Sequence, residues 1–330
     1  MHLIIIRHGQ SANNILEAAY GCGAAFNAHR SVDPPLSQLG ERQAQLLGQH
    51  LGAQLLCARH RVRLFCSSMT RAMQTLEPLA RALRLHPLVH PDLHEIKGFY
   101  STSKGASTPA GFFSTSKDGR EARGPGSEAI AQRFQGYDVS LIPPDGQGAE
   151  TIREASLRVS RVASMLRKWS ADFEEEDIVV IVAHNDFIAA LSKLLLVPSA
   201  PAVDAAELLE PEEMFKETYW PMNNTGIAHF VLGVKPPPAA YQVDTYLLYW
   251  NRSDHLTEDL RSGVQFKNIG FLQAAAWARV GAGGSGILPA FSEHKVVRAC
   301  QPFWARPSGV LAVGFMAASA IVLLARRSNS

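Results

Sequence analysis

The chain has 330 residues, a formal net charge of +2, 46% hydrophobic residues and 19% charged ones. That length holds one large α/β domain with additions or two small ones, and the apolar content excludes general disorder. A near-neutral balance without a basic run offers no footprint for nucleic acid. Cys22, Cys57, Cys66 and Cys300 lack CxxC spacing and fit reduced thiols in a cytosol-like compartment rather than a disulfide scaffold.

Met1 leads straight into the continuous apolar run Leu3 to Ile6, too short for a secretory leader and typical of a strand buried on both faces. Ser37 is placed to cap a helix with Leu39, Leu47, Leu51 and Leu55 on its apolar face. Val62 to Cys66 reads as a second strand, Ala72 to Leu83 as a helix with Leu76, Leu79 and Leu83 inward, and Pro87 to His90 as a short third strand. Thr151 to Trp169 predicts a helix burying Ile152, Val159, Val162 and Leu166, with its basic residues on an ordinary outer face. A solvated acidic turn, Glu174 to Asp177, precedes the buried strand Ile178 to Ala183 and the helix Phe187 to Leu196. Ile227 to Leu232 and Val243 to Tyr249 close the series as strands, with a loop holding Pro236 to Pro238 between them. Strands alternating with helices predict a layered α/β fold with a largely parallel sheet.

Two stretches break that rhythm. Residues 97–149, rich in Gly, Ser, Thr, Pro and Lys, are expected to be an insertion rather than core. Within them Gly98-Phe99-Tyr100-Ser101-Thr102-Ser103-Lys104 returns as Gly111-Phe112-Phe113-Ser114-Thr115-Ser116-Lys117, a local tandem duplication. Residues 271–306 read as a linker, and Pro307 to Ala325 carries no charge. The latter is long enough to span a hydrocarbon core as a transmembrane helix, apolar on all sides, with Arg306 before it and a short basic tail, 326–330, after it. It is expected to be a tail anchor leaving residues 1–270 in the cytosol, with features common in mitochondrial outer-membrane tails.

The chemistry sits at strand ends, where ligands of open α/β sheets bind. The first strand runs into Arg7-His8-Gly9-Gln10-Ser11, and Gly9 would let backbone approach an anion. The second runs into Ser67 to Thr75 and delivers Arg71 beside a helix N-terminus. The third is followed by Leu93-His94-Glu95, and the fourth by His184-Asn185-Asp186. Cationic donors, an imidazole and one carboxylate are what phosphoryl transfer needs without a metal. His86, His90 and His94 recur at a helical spacing, but Pro87 and Pro91 forbid a helical metal face, so these are expected to be structural.

With Asn14, Asp33-Pro34-Pro35-Leu36-Ser37, Gly40, Gly148-Ala149-Glu150-Thr151, Asn223-Asn224-Thr225, Asn251 and His255-Leu256 added, the chain resembles the histidine phosphatases, the phosphoglycerate-mutase-like superfamily (branch 1), over roughly residues 1–260. The resemblance implies a three-layer α/β/α sandwich with a mostly parallel central sheet. It implies that His8 attacks phosphorus, that Arg7, Arg71 and His184 hold the phosphoryl oxygens with Asn14 and Ser67 in the same pocket, and that Glu95 handles the proton. No cofactor or metal is implied. Two departures stand out: Asn185 follows His184 where Gly is common, and the Glu150 motif reads Ala-Glu-Thr rather than Gly-Glu-Ser. Asn13 before Asn14, and Ile96-Lys97 after Glu95, depart from the mutases proper and favour hydrolysis over phosphoglycerate-mutase-type transfer. The substrate expected is a phosphorylated small molecule or, from the Ser-Ser-Met-Thr-Arg-Ala string, a phosphoprotein. A catalytically idle, tail-anchored scaffold is the alternative from another class.

Overall fold

A computed structural model describes residues 1–21, 24–99, 122–196, 220–233 and 245–263. These residues fall in the compact unit Met1–Asn268. In chain order its strands are β1 (His2–Arg7), β2 (Val62–Ser67), β3 (Leu88–His90), β4 (Ile178–Ala183), β5 (Ile227–Leu232) and β6 (Thr245–Arg252). The helices are α1 (Ala12–Tyr20), α2 (Ala24–His29), α3 (Gln38–Leu55), α4 (Thr70–Leu83), α5 (Ser127–Arg133), α6 (Ile152–Asp172) and α7 (Asn185–Leu196).

The six strands form one mixed sheet in the order β3-β2-β4-β1-β5-β6. β1 lies parallel to β4, as β4 does to β2 and β2 to β3, while β5 runs antiparallel to both β1 and β6. The pleat sends alternate residues to opposite faces. Leu3 and Ile5 of β1, with Val179 and Ile181 of β4, pack under α6 and α7. Ile4 and Ile6, with Val180 and Val182, pack under α3 and α4. Both faces are covered, which explains why β1 and β4 are apolar without alternation.

The helices start where their caps dictate. Ser37 Oγ accepts from Gly40 N at the start of α3, and Leu47, Leu51 and Leu55 are buried as expected, whereas Leu39 is only half-buried. Thr151 and Glu154 form a reciprocal capping box at α6. Threonine therefore does at this cap what serine would, and the departure to Ala-Glu-Thr costs the helix nothing evident.

Four expectations need correction or fall outside what is described. Residues 122–149 are not excluded from the core: Ile130, Phe134 and Ile142 join the α3–α4 side, and Phe99 is fully buried. Low-complexity flanks hid a few apolar residues that reach back to the sheet. The basic residues of α6 do not all face outward, because Arg158 is buried. In the acidic turn Glu175 and Glu176 are exposed, but Asp177 is buried, its carbonyl accepting from His2 N and its carboxylate from Glu174 N. Finally, the linker 271–306 and the transmembrane helix expected over 307–325 lie outside the described residues. Among those described, no helix is long and apolar enough to cross a membrane.

Candidate active site

Strand direction brings the site together. The carboxyl ends of parallel β1, β2, β3 and β4 reach one edge of the sheet, at Arg7, Ser67, His90 and Ala183. β5 is antiparallel and begins at that edge, so Asn223-Asn224-Thr225 precede it there, and β6 ends there before His255. The late motifs therefore join the early ones for a topological reason.

His8 is 4% exposed and leaves β1 with its backbone N–H on Ala183 O at 2.9 Å. Its Nδ1 lies 2.7 Å from its neighbour's carbonyl, Gly9 O, and its Nε2 lies 3.1 Å from Arg71 Nε. Both contacts fit one tautomer: Nδ1–H donates and Nε2 carries the lone pair. Burial, and then the charges of Arg71 and Arg7, hold the imidazole well below its ordinary pKa, so it is neutral at neutral pH. The loop after His8 is closely backed. A side chain at Gly9 would strike Gly40 O at 2.7 Å, and one at Gly40 would strike Gln10 O at 2.0 Å. Gly9 is thus required by the approach of the α3 N-terminus. Gly9 N donates to Thr75 Oγ1 and Gln10 N to Gln43 Oε1, which pins the loop to α4 and α3.

Arg71, 8% exposed, lies in the first turn of α4, 4.0 Å from Asp33. The Asp33 carboxylate caps that helix by accepting from Thr70 N and Thr70 Oγ1. Burial raises the Asp33 pKa, opposed by the Thr70 hydrogen bonds and Arg71. Arg7 is buried beside β5 and donates through Nη1 to Met222 O and Gly263 O. His184 is fully buried, with its ring 5.1 Å from that of His8, and burial followed by the charge of Arg71 holds it neutral. Its Nε2 is 2.8 Å from Ser67 Oγ, and its Nδ1 is buried with no hydrogen-bond partner among the described residues. A buried, unmatched ring nitrogen next to a second neutral imidazole suits a ligand atom.

Glu95 is half-buried, and its Oε1 accepts from Phe187 N at 3.0 Å and Ile96 N at 2.9 Å. Oε2 is 3.4 Å from Asp186 N, so the carboxylate sits at the N-terminus of α7. Burial and the neighbouring Asp186 raise its pKa to about 7, against the pull of those donors and of Arg71. A carboxyl poised there can give or take a proton near neutrality. Asn185, the second departure, is built into this corner: it accepts from Met222 N and donates to Asp186 Oδ1.

Two expected ligand groups also carry structural hydrogen bonds. Ser67 is wholly buried, and its oxygen accepts from Met69 N and lies 2.8 Å from His184 Nε2, so it helps orient that imidazole. Asn14 uses Oδ1 to accept from Ser11 N and Oγ in the capping box of α1, which leaves its amide nitrogen for a ligand. Sequence reasoning gave no role to Asn224 Nδ2, which donates to His8 O, or to Thr225 N, which donates to Arg7 O. It also missed Gln43 and Arg158. Each is a polar residue in phase with an apolar helix face, a signal that could have found them. His86, His90 and His94 bond to Gly136 O, Asp92 N and Pro91 O respectively. Among the described residues, no three His, Cys, Asp or Glu side chains are grouped to hold a metal.

Residues 3–102 match the family model described as the histidine phosphatase superfamily (branch 1). That span holds β1 to β3, His8, Arg71 and Glu95. Over that span the chain is similar to that superfamily. No curated protein matches the chain. Solved structures with distant likeness include the mycobacterial glucosyl-3-phosphoglycerate phosphatase, 20% identical, covering 76% of this chain and 98% of its own, TM-score 0.41. A phosphoserine phosphatase variant from Entamoeba histolytica is 20% identical, covering 78% and 99%, TM-score 0.42. The α-ribazole phosphatase from Shigella flexneri is 19% identical, covering 77% and 97%, TM-score 0.44. The substrates in those names are theirs.

Proposed function

We propose that the chain is a phosphatase that hydrolyses phosphomonoesters through a phosphohistidine on His8. The observation that carries this reading is the His8 ring itself: Nδ1 is spent on Gly9 O, and the Nε2 lone pair points at an arginine. In the first step Nε2 attacks phosphorus, the P–O ester bond breaks, and Glu95 gives its proton to the departing oxygen. In the second, the Glu95 carboxylate takes a proton from water, which attacks phosphorus as the P–N bond breaks, releasing phosphate. Arg71 and Arg7 hold the phosphoryl oxygens and supply the charge that a divalent ion would otherwise bring. His184 Nδ1 is available to a third oxygen. Hydrolysis rather than mutase transfer is the reading because Ile96 and Lys97 replace the mutase tract after Glu95.

The test is chemical quench after mixing with p-nitrophenyl phosphate. Acid-labile, alkali-stable phosphate should form on the wild-type chain, be absent in His8→Ala, and accumulate in Glu95→Gln, whose water activation is impaired. Phosphate on any other residue overturns the assignment, and an inert full-length chain supports the idle scaffold. EDTA should leave turnover unchanged and vanadate should inhibit. Screening phosphorylated metabolites against phosphopeptides separates the two substrate classes. The uncharged stretch 307–325 between arginines supports a second proposal, a tail anchor holding the catalytic unit on the cytosolic side of a membrane, the mitochondrial outer membrane first.

A further inference from the structure

We infer that Arg158, gripped by Glu150 and backed by the strap 147–150, is a positioning residue that sets where the Glu95 carboxyl sits in the proton-transfer step. This rests on the reading of Glu95 as the proton carrier.

Glu95 follows a short turn, Pro91–Leu93, and lies in no helix or strand of its own. Its loop is held instead by one side chain from α6. Arg158, 3% exposed, donates through Nη1 to Asp92 O at 2.7 Å and His94 O at 3.0 Å, and its Nη2 lies 3.5 Å from Glu95 O. The same guanidinium forks onto Glu150, Nε reaching Oε2 at 2.9 Å and Nη2 reaching Oε1. One planar group thus ties the carbonyls of Asp92, His94 and Glu95 to one carboxylate, a geometry that only a rigid five-donor fork provides.

Glu150 belongs to a strap that crosses the same loop. Phe99 N donates to Gly148 O and Glu150 N to Lys97 O, both at 3.1 Å, with an antiparallel bridge between Gly98 and Ala149. Gln147 Nε2 donates to Pro91 O at 3.0 Å, and its Oε1 accepts from Ser68 Oγ at 2.7 Å, which ties the strap to the end of β2. The Glu95 backbone is therefore fixed from α6 and the strap, and its carboxyl separately from the α7 amides. A buried ion pair is a poor way to gain stability, since apolar residues of the same volume do as well or better. Three backbone carbonyls fanned around one catalytic-loop residue are what this pair adds. Burial opposes ionisation of Glu150, yet hydrogen bonds from Arg158 and His94 outweigh it and hold its pKa at about 2, so the fork stays charged across the working range.

The experiment compares Arg158→Lys in the full-length wild-type chain and in a Glu95→Gln background, with p-nitrophenyl phosphate as the probe. Lysine keeps the charge but cannot span three carbonyls and a carboxylate. Decay of the phosphoenzyme should slow by about 10- to 100-fold, the scale of a misplaced catalytic group, with KM little changed. In the Glu95→Gln background the same substitution should slow decay no further, because the group it positions is already gone. Unchanged decay in the single variant, or equal slowing in both backgrounds, overturns the inference. Should Arg158→Lys fail to fold, Gln147→Ala loosens only the strap and is read by the same comparison, with a several-fold effect expected and the same two results against it. Failure of the underlying reading is distinguishable: there, Glu95→Gln alone leaves decay at the wild-type rate.

Discussion

Arg71 Nε donates to His8 Nε2 at 3.1 Å, so the lone pair assigned to attack is occupied by the cation assigned to bind the substrate. A phosphoryl group that arrives in line with Nε2 must take that hydrogen bond over, and in doing so it both frees the nucleophile and gains the guanidinium. Lysine at this position would keep the charge without the fork. Arg71→Lys should lower kcat/KM by about 10²-fold or more, in the range seen when one preorganised transition-state donor is lost. Steady-state kinetics with p-nitrophenyl phosphate, beside the intact near-ultraviolet circular dichroism of the variant, checks this.

The two titrating groups set an unusual pH profile. His8 is held well below its ordinary pKa by burial and the neighbouring arginines and stays neutral around neutrality, whereas Glu95 is raised to about 7. In the proposed mechanism the acid form of Glu95 protonates the leaving oxygen. The kcat/KM for an alkyl phosphate, with its poor leaving group, should therefore be level on the acid side and fall as pH rises through about 7. In Glu95→Gln that fall should vanish. A fall that persists in Glu95→Gln would place the titration elsewhere.

Glu150 carries a stability signature. Its folded pKa of about 2 lies below the ordinary 4.5, so its contribution is present above about pH 4.5 and is lost as pH falls towards 2. Glu150→Gln leaves the Arg158 guanidinium buried without its counter-ion and should destabilise by about 3–5 kcal/mol at pH 7. Urea titrations at pH 7 and pH 3 should show the gap between wild type and variant narrowing in acid.

The duplication gives a precise deletion test. Phe99 is fully buried against Gly124 and Gly98 adopts a φ of +67°, so the first copy is not a free loop. Excising Gly98 to Ala110, however, moves Gly111 and Phe112 into those two positions of the sequence. That variant should keep its stability and activity. Excising Gly98 to Lys117 removes both copies and should cost about 3–5 kcal/mol, the range for losing a core phenylalanine. Thermal melts of the two variants decide it.

A charge at the centre of the 307–325 stretch tests the anchor. Phe315→Arg should cost about 3 kcal/mol in membrane insertion and release the protein into the alkaline-carbonate supernatant. A truncation near Gly270 should be soluble and active. A full-length chain that washes off at alkaline pH, or a catalytic unit shielded from protease in intact organelles, removes the proposal.

Much of this protein was legible from one dimension. Period and punctuation revealed β1, β2, β4, α3, α4 and α6 to within a few residues, because a strand covered on both faces must be apolar throughout and a docked helix must carry a stripe. Strand-end position marked His8, Arg71, Glu95 and His184, because a parallel sheet delivers its carboxyl ends to one edge. What only the tertiary structure decided were the partners. That Ser67 faces His184, that Asn14 caps its own helix, that Gly9 yields to Gly40, and that Arg158 points inward are all matters of which distant segment arrives beside a residue. A polar side chain is indifferent, in sequence, to whether water or a carbonyl some sixty residues away completes its hydrogen bonds. Burial removes the water, and only the fold says what replaces it.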